Sequence, residues 1–177
     1  MSEGESAERS SKRWVFPAVA IGVFLVDQAA KRHAIQSLAP GERVPLLGDV
    51  IALTHLPAAG GAFGILRDWP ASTQLAVLGL LALVATVVIV AFHRGLAPGE
   101  AGSAAALGAI LGGIASNTFD RFRYGTGIDF LHVGAVDADP LPDFNLADVA
   151  IVLGVATLIV ELLATEMAAR ASERPRS

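Results

Sequence analysis

The sequence predicts a helical membrane protein with four membrane-spanning helices and a small β-sheet on the outer membrane surface. Of its 177 residues, 53% are hydrophobic and 17% are charged, whereas the charged share of soluble domains is about 25%. The mean hydropathy is +0.56. Apolar segments close to span length alternate with polar connections, and two of these connections contain strand-like stretches. A chain of this length is expected to form one domain.

The first element is an apolar segment that follows a polar tail. Residues 1–13 are rich in charged residues and serine, which predicts a disordered cytoplasmic tail. The first span begins at Trp14, and its apolar run extends to Val26, just before Asp27 and Lys31. The basic residues of the tail and the short apolar run also fit a cleaved signal peptide. Three further hydrophobic segments favour a first span that is not cleaved.

The other three spans are predicted at residues 72–92, 104–119 and 147–167. The first and last of these approach the roughly 20 residues that cross the hydrocarbon core. The middle span is short and rich in small residues. Its Gly108-x-x-x-Gly112 pattern either allows close helix packing or arises by chance from the abundance of glycine. Residues 168–177 are predicted to be a second cytoplasmic tail.

The basic residues favour a topology with both termini in the cytoplasm. The arginines and lysine of the two tails and the short connection at His93 and Arg94 would then lie inside, as the positive-inside rule requires. The two longer connections, residues 38–69 and 121–146, would lie outside. Both contain β-branched and leucine residues between glycine and proline breaks, which predicts short strands.

The composition and the motifs exclude several kinds of site. The chain has no cysteine, which excludes disulfides, thiolate metal ligands and a cysteine nucleophile. The four histidines lack the spacing of a metal site, and neither a Gly-x-Ser-x-Gly nor a His-Glu-x-x-His motif occurs. The net charge is −4 without a basic stripe, so the sequence gives no support to nucleic-acid binding.

Polar side chains recur where the predicted spans end. Asp27 and Lys31 are four residues apart on one helix and are predicted to form an ion pair that neutralises both charges. Asn117, Asp120 and Arg121 end the third span. Because Asp120 and Arg121 are adjacent and point in different directions, Arg121 is expected to pair through the helix bundle rather than with Asp120.

Two further aspartates are predicted to be a catalytic pair. Asn145 and Asp148 open the fourth span with the spacing of a capping box, where the helix dipole favours an ionised carboxylate. Asp129 lies in the strand-like Gly-Ile-Asp-Phe stretch. Each aspartate alone also fits a surface or capping role. Together, paired carboxylates can divide the acid and base roles, because two like charges at short range cannot both be ionised.

Five short motifs in order resemble the lipoprotein signal peptidases, also called type II signal peptidases, a family of aspartic membrane peptidases. The resemblance covers residues 14–166. The motifs are Asp27-Gln-x-x-Lys31, Gly60-Gly-Ala-Phe63-Gly64, Asn117-x-x-Asp120-Arg121, Gly-Ile-Asp129-Phe and Phe144-Asn145-x-Ala-Asp148. Each motif alone is weak, but the ordered set is specific.

The resemblance implies a multi-pass endopeptidase of the bacterial inner membrane with its active site on the extracytoplasmic side. It implies four transmembrane helices, an outer β-cradle within residues 38–69 and 121–146, and a periplasmic-side loop. The implied partners are membrane lipids and prolipoproteins that carry a diacylglyceryl cysteine, and the implied reaction is cleavage just before that cysteine. No metal or organic cofactor is implied.

Residue by residue, the resemblance makes Asp129 and Asp148 the catalytic dyad. The supporting and substrate-binding positions would be Asp27, Lys31, Gly60, Phe63, Asn117, Asp120, Arg121 and Asn145.

One departure from the family pattern concerns the loop motif. Ala58 stands where the family usually has an asparagine, two residues before the first glycine. An alanine side chain forms no hydrogen bonds. The substitution leaves three interpretations open. Thr54 or His55 compensates for the missing asparagine, or the activity is reduced, or the protein is a non-catalytic relative that binds lipoprotein signal peptides.

A carboxylate-using transporter is a further alternative. It requires acids near the bilayer midplane, whereas the aspartates here cluster at predicted span ends.

Overall fold

The computed structural model describes residues 3–39, 41–48, 50–58, 66, 68–97, 99–134 and 143–173. The loop motif with Gly60 and Phe63, two of the predicted site residues, lies outside these ranges. The turn-rich stretch that precedes Asp143 also lies outside them.

Four long helices make up most of the described chain. They are α1 (Glu3–Ser37), α2 (Ala71–Gly95), α3 (Ala101–Tyr124) and α4 (Leu146–Glu173). Three of them contain segments long and apolar enough to cross a membrane, at Trp14–Ser37, Ala71–Gly95 and Leu146–Ser172. Large apolar side chains such as Leu80, Val152 and Leu162 are more than half exposed on these helices. Continuous apolar surface of this kind is rare on soluble monomers, and lipid covers it without cost.

Helix α3 is the central helix and the least apolar of the predicted spans. It packs against α1, α2 and α4, and glycine and alanine predominate on its buried face. Polar residues at its C-terminal end, including Asn117 and Asp120, lower its hydropathy further. For this reason α3 is absent from the three candidate spans of the described residues.

The glycine pattern of α3 allows α1 to approach closely. A Cβ atom at Gly108 would lie 2.5 Å from the carbonyl oxygen of Phe16, a distance that real Cβ atoms do not show. A Cβ atom at Gly112 would meet the carbonyl oxygen of Ala20 in the same way. The Gly108-x-x-x-Gly112 pattern is therefore a packing motif and not a chance product of composition.

Three strands form one antiparallel sheet in the order β1-β2-β3. They are β1 (Arg43–Leu47), β2 (Ile51–Ala58) and β3 (Gly127–Val133). All three lie in the connections where strands were predicted, so that prediction is confirmed. Phe130 of β3 packs with Ala34 and Leu38 in a buried cluster, which holds the sheet against the C-terminal end of α1.

The helix ends differ from those predicted. Helix α1 begins at Glu3, so residues 3–13 are helical where a disordered tail was predicted, and α4 continues past residue 167 to Glu173. Both extensions contain alanine, glutamate and arginine, which have high helix propensity. Residues added to an existing helix also need no new nucleation.

Candidate active site

A buried ion cluster joins α1 to α3. Asp27 and Lys31 are 0% and 1% exposed, and Lys31 Nζ lies 2.6 Å from Oδ2 of Asp27. The predicted ion pair is therefore present. Lys31 Nζ also lies 2.6 Å from Oδ2 of Asp120, which is likewise fully buried. Buried charges are tolerated only when they are paired and hydrogen-bonded, and here one ammonium serves two carboxylates.

Additional hydrogen bonds support the two carboxylates. Ser116 Oγ donates to Oδ2 of Asp27 at 2.7 Å, and the backbone N–H of Ala147 donates to its Oδ1 at 2.9 Å. Gln28 Nε2 donates to Oδ1 of Asp120 at 2.7 Å. Since Ala147 lies in the first turn of α4, the cluster connects α1, α3 and α4 at one end of the bundle.

Gln28 and Ser116 were not among the predicted site residues. Gln28 is a named residue of the first motif, but no role was assigned to it, and Ser116 lies just before the Asn117 motif and outside it. A helical signal was available for the serine, because Ser116 precedes Asp120 by four residues and so shares its helix face.

Asn117 links the ion cluster to Asp148. Lys31 Nζ donates to Asn117 Oδ1 at 2.9 Å, and Asn117 Nδ2 donates to Asp148 Oδ1 at 2.8 Å. A lysine ammonium is only a donor, so the amide oxygen must face Lys31 and the amide nitrogen must face Asp148. The ion cluster therefore fixes the side-chain orientation that makes Asp148 Oδ1 an acceptor.

Asn145 and Asp148 form the predicted capping box at the start of α4. The backbone N–H of Asp148 donates to Asn145 Oδ1 at 3.0 Å, and the backbone N–H of Asn145 donates to Asp148 Oδ2 at 3.2 Å. With the bond from Asn117, both carboxylate oxygens of Asp148 accept hydrogen bonds. This arrangement suits an ionised carboxylate, which is an acceptor at both oxygens.

Asn145 also joins the two aspartates that were predicted to be catalytic. Its Nδ2 donates to Oδ1 of Asp129 at 2.7 Å and to the carbonyl oxygen of Ile128 at 3.2 Å, while its Oδ1 accepts from Asp148. The Asn145 side chain is 2% exposed. Asp129 and Asp148 thus contact the two ends of one buried amide.

The environment of Asp129 favours its protonated form. Burial, and to a smaller extent the neighbouring charge of Asp148, raises the pKa of Asp129 from 3.8 to about 7. The hydrogen bond from Asn145 and the charges of Lys31 and Arg121 act in the opposite direction. Near pH 7 a large fraction of Asp129 therefore carries a proton.

Arg121 does not pair as predicted. Its Nη1 donates to the backbone carbonyl of Asn117 at 2.7 Å, within its own helix. Asp120 is the residue of this motif that pairs across the bundle, with Lys31. Arg121 follows Asp120 by one position, about 100° around the helix, so its guanidinium does not face the ion cluster.

Thr54, one of the two residues considered as a replacement for the missing loop asparagine, donates its hydroxyl hydrogen to Asp143 Oδ2 at 3.2 Å. The side chains of His55 and Ala58 lie outside the described part of the chain.

Within the described part of the chain, no three histidine, aspartate or glutamate side chains are grouped to hold a metal ion.

Comparisons with known proteins identify the family of the chain. The family model described as Signal peptidase (SPase) II matches residues 19–164. The lipoprotein signal peptidase of Moorella thermoacetica is 38% identical over 148 residues, which cover 84% of this chain and 92% of that protein. The lipoprotein signal peptidase of Geobacter sulfurreducens is 36% identical over 152 residues, with coverages of 86% and 93%.

A solved structure shares the fold. It is a bacterial membrane enzyme determined by the in meso method at 2.3 Å resolution, and it matches with a TM-score of 0.76 at 21% identity. The match covers 90% of this chain and 92% of that one. The family match over most of the chain, together with relatives well above 30% identity, shows that the chain belongs to the signal peptidase II family.

Proposed function

We propose that this protein is an aspartic endopeptidase that removes the signal peptide from prolipoproteins, cutting just before a cysteine that carries a diacylglyceryl group. Membership of the signal peptidase II family supports the peptidase activity and the lipoprotein substrate. The observation that supports the mechanism is the position of the Asn145 side chain between the two aspartates. Its Nδ2 donates to the carboxyl group of Asp129, and its Oδ1 accepts from the backbone N–H of Asp148. Membership of this family does not favour the two alternative functions, a carboxylate-using transporter and a non-catalytic relative that only binds signal peptides.

The two carboxyl groups divide the chemistry in this proposal. Ionised Asp148 takes a proton from a water molecule while that water attacks the scissile carbonyl carbon. Protonated Asp129 gives its proton to the carbonyl oxygen, so a neutral tetrahedral diol forms. Asp148 then gives its proton to the leaving nitrogen as the C–N bond breaks, and Asp129 recovers a proton from the diol. Both groups end in their starting states.

The remaining polar residues serve this pair. Asn117 and the backbone N–H of Asn145 hold Asp148 as an acceptor, and Lys31, with Asp27 and Asp120, holds Asn117. Gly60 and Phe63 belong to the loop motif, which we propose contributes to substrate binding. Arg121 supports the end of α3 and adds a positive charge near Asp129.

The function and its pH dependence are tested in one assay. Purified protein is expected to convert a diacylglyceryl-modified prolipoprotein to a product that begins with the modified cysteine, detected by intact mass. Since Asp129 must carry a proton, kcat/KM is expected to fall as pH rises through about 7, by roughly tenfold per pH unit for one lost proton. A profile that stays flat to about pH 9, with the protein still folded, would contradict the assigned acid.

We further propose that α3 is the fourth membrane crossing and that both termini are cytoplasmic. The 24 residues of α3 span about 36 Å, and three neighbouring helices cover its less apolar face. The site uses the C-terminal ends of α1 and α3 and the N-terminal end of α4. Alternating crossings bring these ends to one side of the membrane, which the distribution of basic residues makes the extracytoplasmic side of the cytoplasmic membrane.

Single-cysteine labelling tests this topology, because the chain has no cysteine of its own. In spheroplasts, Glu42→Cys beside the sheet is expected to react with a membrane-impermeant maleimide. Ala97→Cys between α2 and α3 is expected to react only after lysis. Labelling of both positions from outside would rule out the proposed crossings.

A further inference from the structure

A second polar cluster lies beside the candidate dyad, and it includes none of the predicted site residues. His132 is three positions after Asp129 on β3, an odd offset that puts the two side chains on opposite faces of the strand. Its side chain is almost fully buried. Nδ1 of His132 lies 2.6 Å from Oδ1 of Asp143, and Thr54 Oγ1 donates to the other oxygen of that carboxylate. An ionised carboxylate only accepts, so Nδ1 carries the hydrogen.

The cluster spans all three strands of the sheet. Arg43 of β1 is the cross-strand partner of Thr54 on β2, and its Nη2 lies 3.4 Å from His132 Nδ1. Arg43 thus adjoins the cluster at His132. His132 and Thr54 contact the Asp143 carboxylate, which lies at the start of the segment that leads into α4.

Residues 143–145 run antiparallel to β3 as a very short extension of the sheet. Phe144 and Leu131 exchange both backbone hydrogen bonds, each at 2.9 Å. This pairing is an isolated bridge and not a full strand. Asp143 flanks the bridge on the His132 side, and Asn145 flanks it on the Asp129 side.

The register of this bridge determines the geometry of the dyad. Helix α4 begins at Leu146, directly after Asn145, and Asp148 lies in its first turn. A slip of one residue in an antiparallel pairing turns every side chain to the other face, which would remove Asn145 from Asp129. One backbone bridge specifies a register only weakly, whereas a charge-assisted hydrogen bond is about twice as strong as a neutral one.

We propose that His132, Asp143 and Thr54 are positioning residues, which lock residues 143–145 in register against β3 and so hold Asp148 at its working distance from Asp129. As a role in catalysis, this rests on the proposed function. None of the three side chains touches the reacting atoms. Their effect reaches the dyad through Asn145.

The main test measures kcat and KM separately for His132→Ala, Asp143→Ala and the double variant. Misplacement of a catalytic group by about 1 Å costs on the order of 100-fold in rate, so each single variant is expected to lower kcat by roughly 10–100-fold while KM changes by less than about twofold. The double variant is expected to be no worse than either single one, because both remove the same contact. Asp143→Asn keeps an acceptor for His132 and is expected to recover part of kcat.

The exposed Asp68 provides the matched control, since it belongs to none of the three strands and Asp68→Ala is expected to leave kcat unchanged. If an alanine variant does not fold, Thr54→Val and Asp143→Asn replace it in the test. Each is expected to lower kcat by less than the alanine variants do, with KM unchanged. Wild-type kcat in folded His132→Ala and Asp143→Ala, or in both conservative variants, would overturn the proposal.

Amide hydrogen exchange separates this proposal from the proposed function. In Asp143→Ala, the Leu131 and Phe144 amides are expected to exchange at least roughly tenfold faster than in wild type, while α2 is unchanged. Unchanged exchange at the bridge would overturn the register lock whether or not the protein cleaves prolipoproteins. An inactive wild type with the accelerated exchange in the variant would instead contradict the proposed function alone.

Discussion

Replacing Lys31 with methionine is expected to destabilise the protein by roughly 3–5 kcal/mol, the usual cost of breaking a buried ion pair by removing one partner. Lys31 is 1% exposed and contacts two fully buried carboxylates, Asp27 and Asp120. Methionine has a similar length but no charge, so both carboxylates would lose their counter-ion. The change in unfolding free energy, measured by chemical denaturation in detergent, checks this.

Two companion variants make the Lys31 prediction specific. Arg170→Met breaks an ion pair with Glu166 in which both side chains are largely exposed, and it is expected to cost at most about 1 kcal/mol. Adding Asp120→Asn to Lys31→Met removes one of the unpaired charges and is expected to restore part of the stability. Equal effects of Lys31→Met and Arg170→Met would show that the cluster is not the paired unit described here.

The same Lys31 variant also links stability to activity. Without the ammonium, the amide of Asn117 is free to rotate and its oxygen can face Asp148 instead of its nitrogen. Two acceptors would then meet, and Asp148 would lose a hydrogen bond of 2.8 Å. Protein that remains folded after this change is therefore expected to cleave more slowly than wild type.

Local sequence patterns were sufficient to predict most of the fold. Apolar runs located the helices, β-branched stretches between glycines and prolines located the strands, and the spacing of Asn145 and Asp148 predicted the capping box. The Asp27–Lys31 pair was predictable because both residues belong to one helix. Each of these features depends on neighbours within one element.

Features that depend on contacts between elements were not predictable from one sequence. Asp120 pairs with Lys31 across two helices, and no periodicity within α3 specifies that partner. Arg121 was expected to be the bundle-crossing residue, and only the rotation of α3 against α1 decided between the two. The contact of Asp143 with His132 likewise depends on the register of a single backbone bridge.

Asp129→Asn and Asp148→Asn are each expected to reduce cleavage by at least roughly 10³-fold, since each removes a proton transfer from the proposed mechanism. An amide matches the carboxyl group in size, so both variants are expected to fold. Asp68→Asn, at an exposed position, serves as the matched control and is expected to cleave like wild type.

Asp129→Asn is also expected to be the more stable protein at pH 8. The folded protein holds the Asp129 proton up to a pH of about 7, whereas the unfolded chain releases it near 3.8. Wild-type stability therefore falls as pH rises between these values, and a neutral amide avoids that loss. If Asp129→Asn has a higher Tm than wild type at pH 8 and does not cleave the substrate, its loss of activity is due to the missing carboxyl group and not to unfolding.

The most direct measurement is cleavage of a diacylglyceryl-modified prolipoprotein by purified wild type, Asp129→Asn and Asp148→Asn side by side at pH 6.5, with the product identified by intact mass. Wild type is expected to release the signal peptide and leave the modified cysteine at the new N-terminus, while both folded variants leave the substrate intact. Cleavage at the wild-type rate by either variant would contradict the dyad, and an inactive but folded wild type would contradict the proposed function.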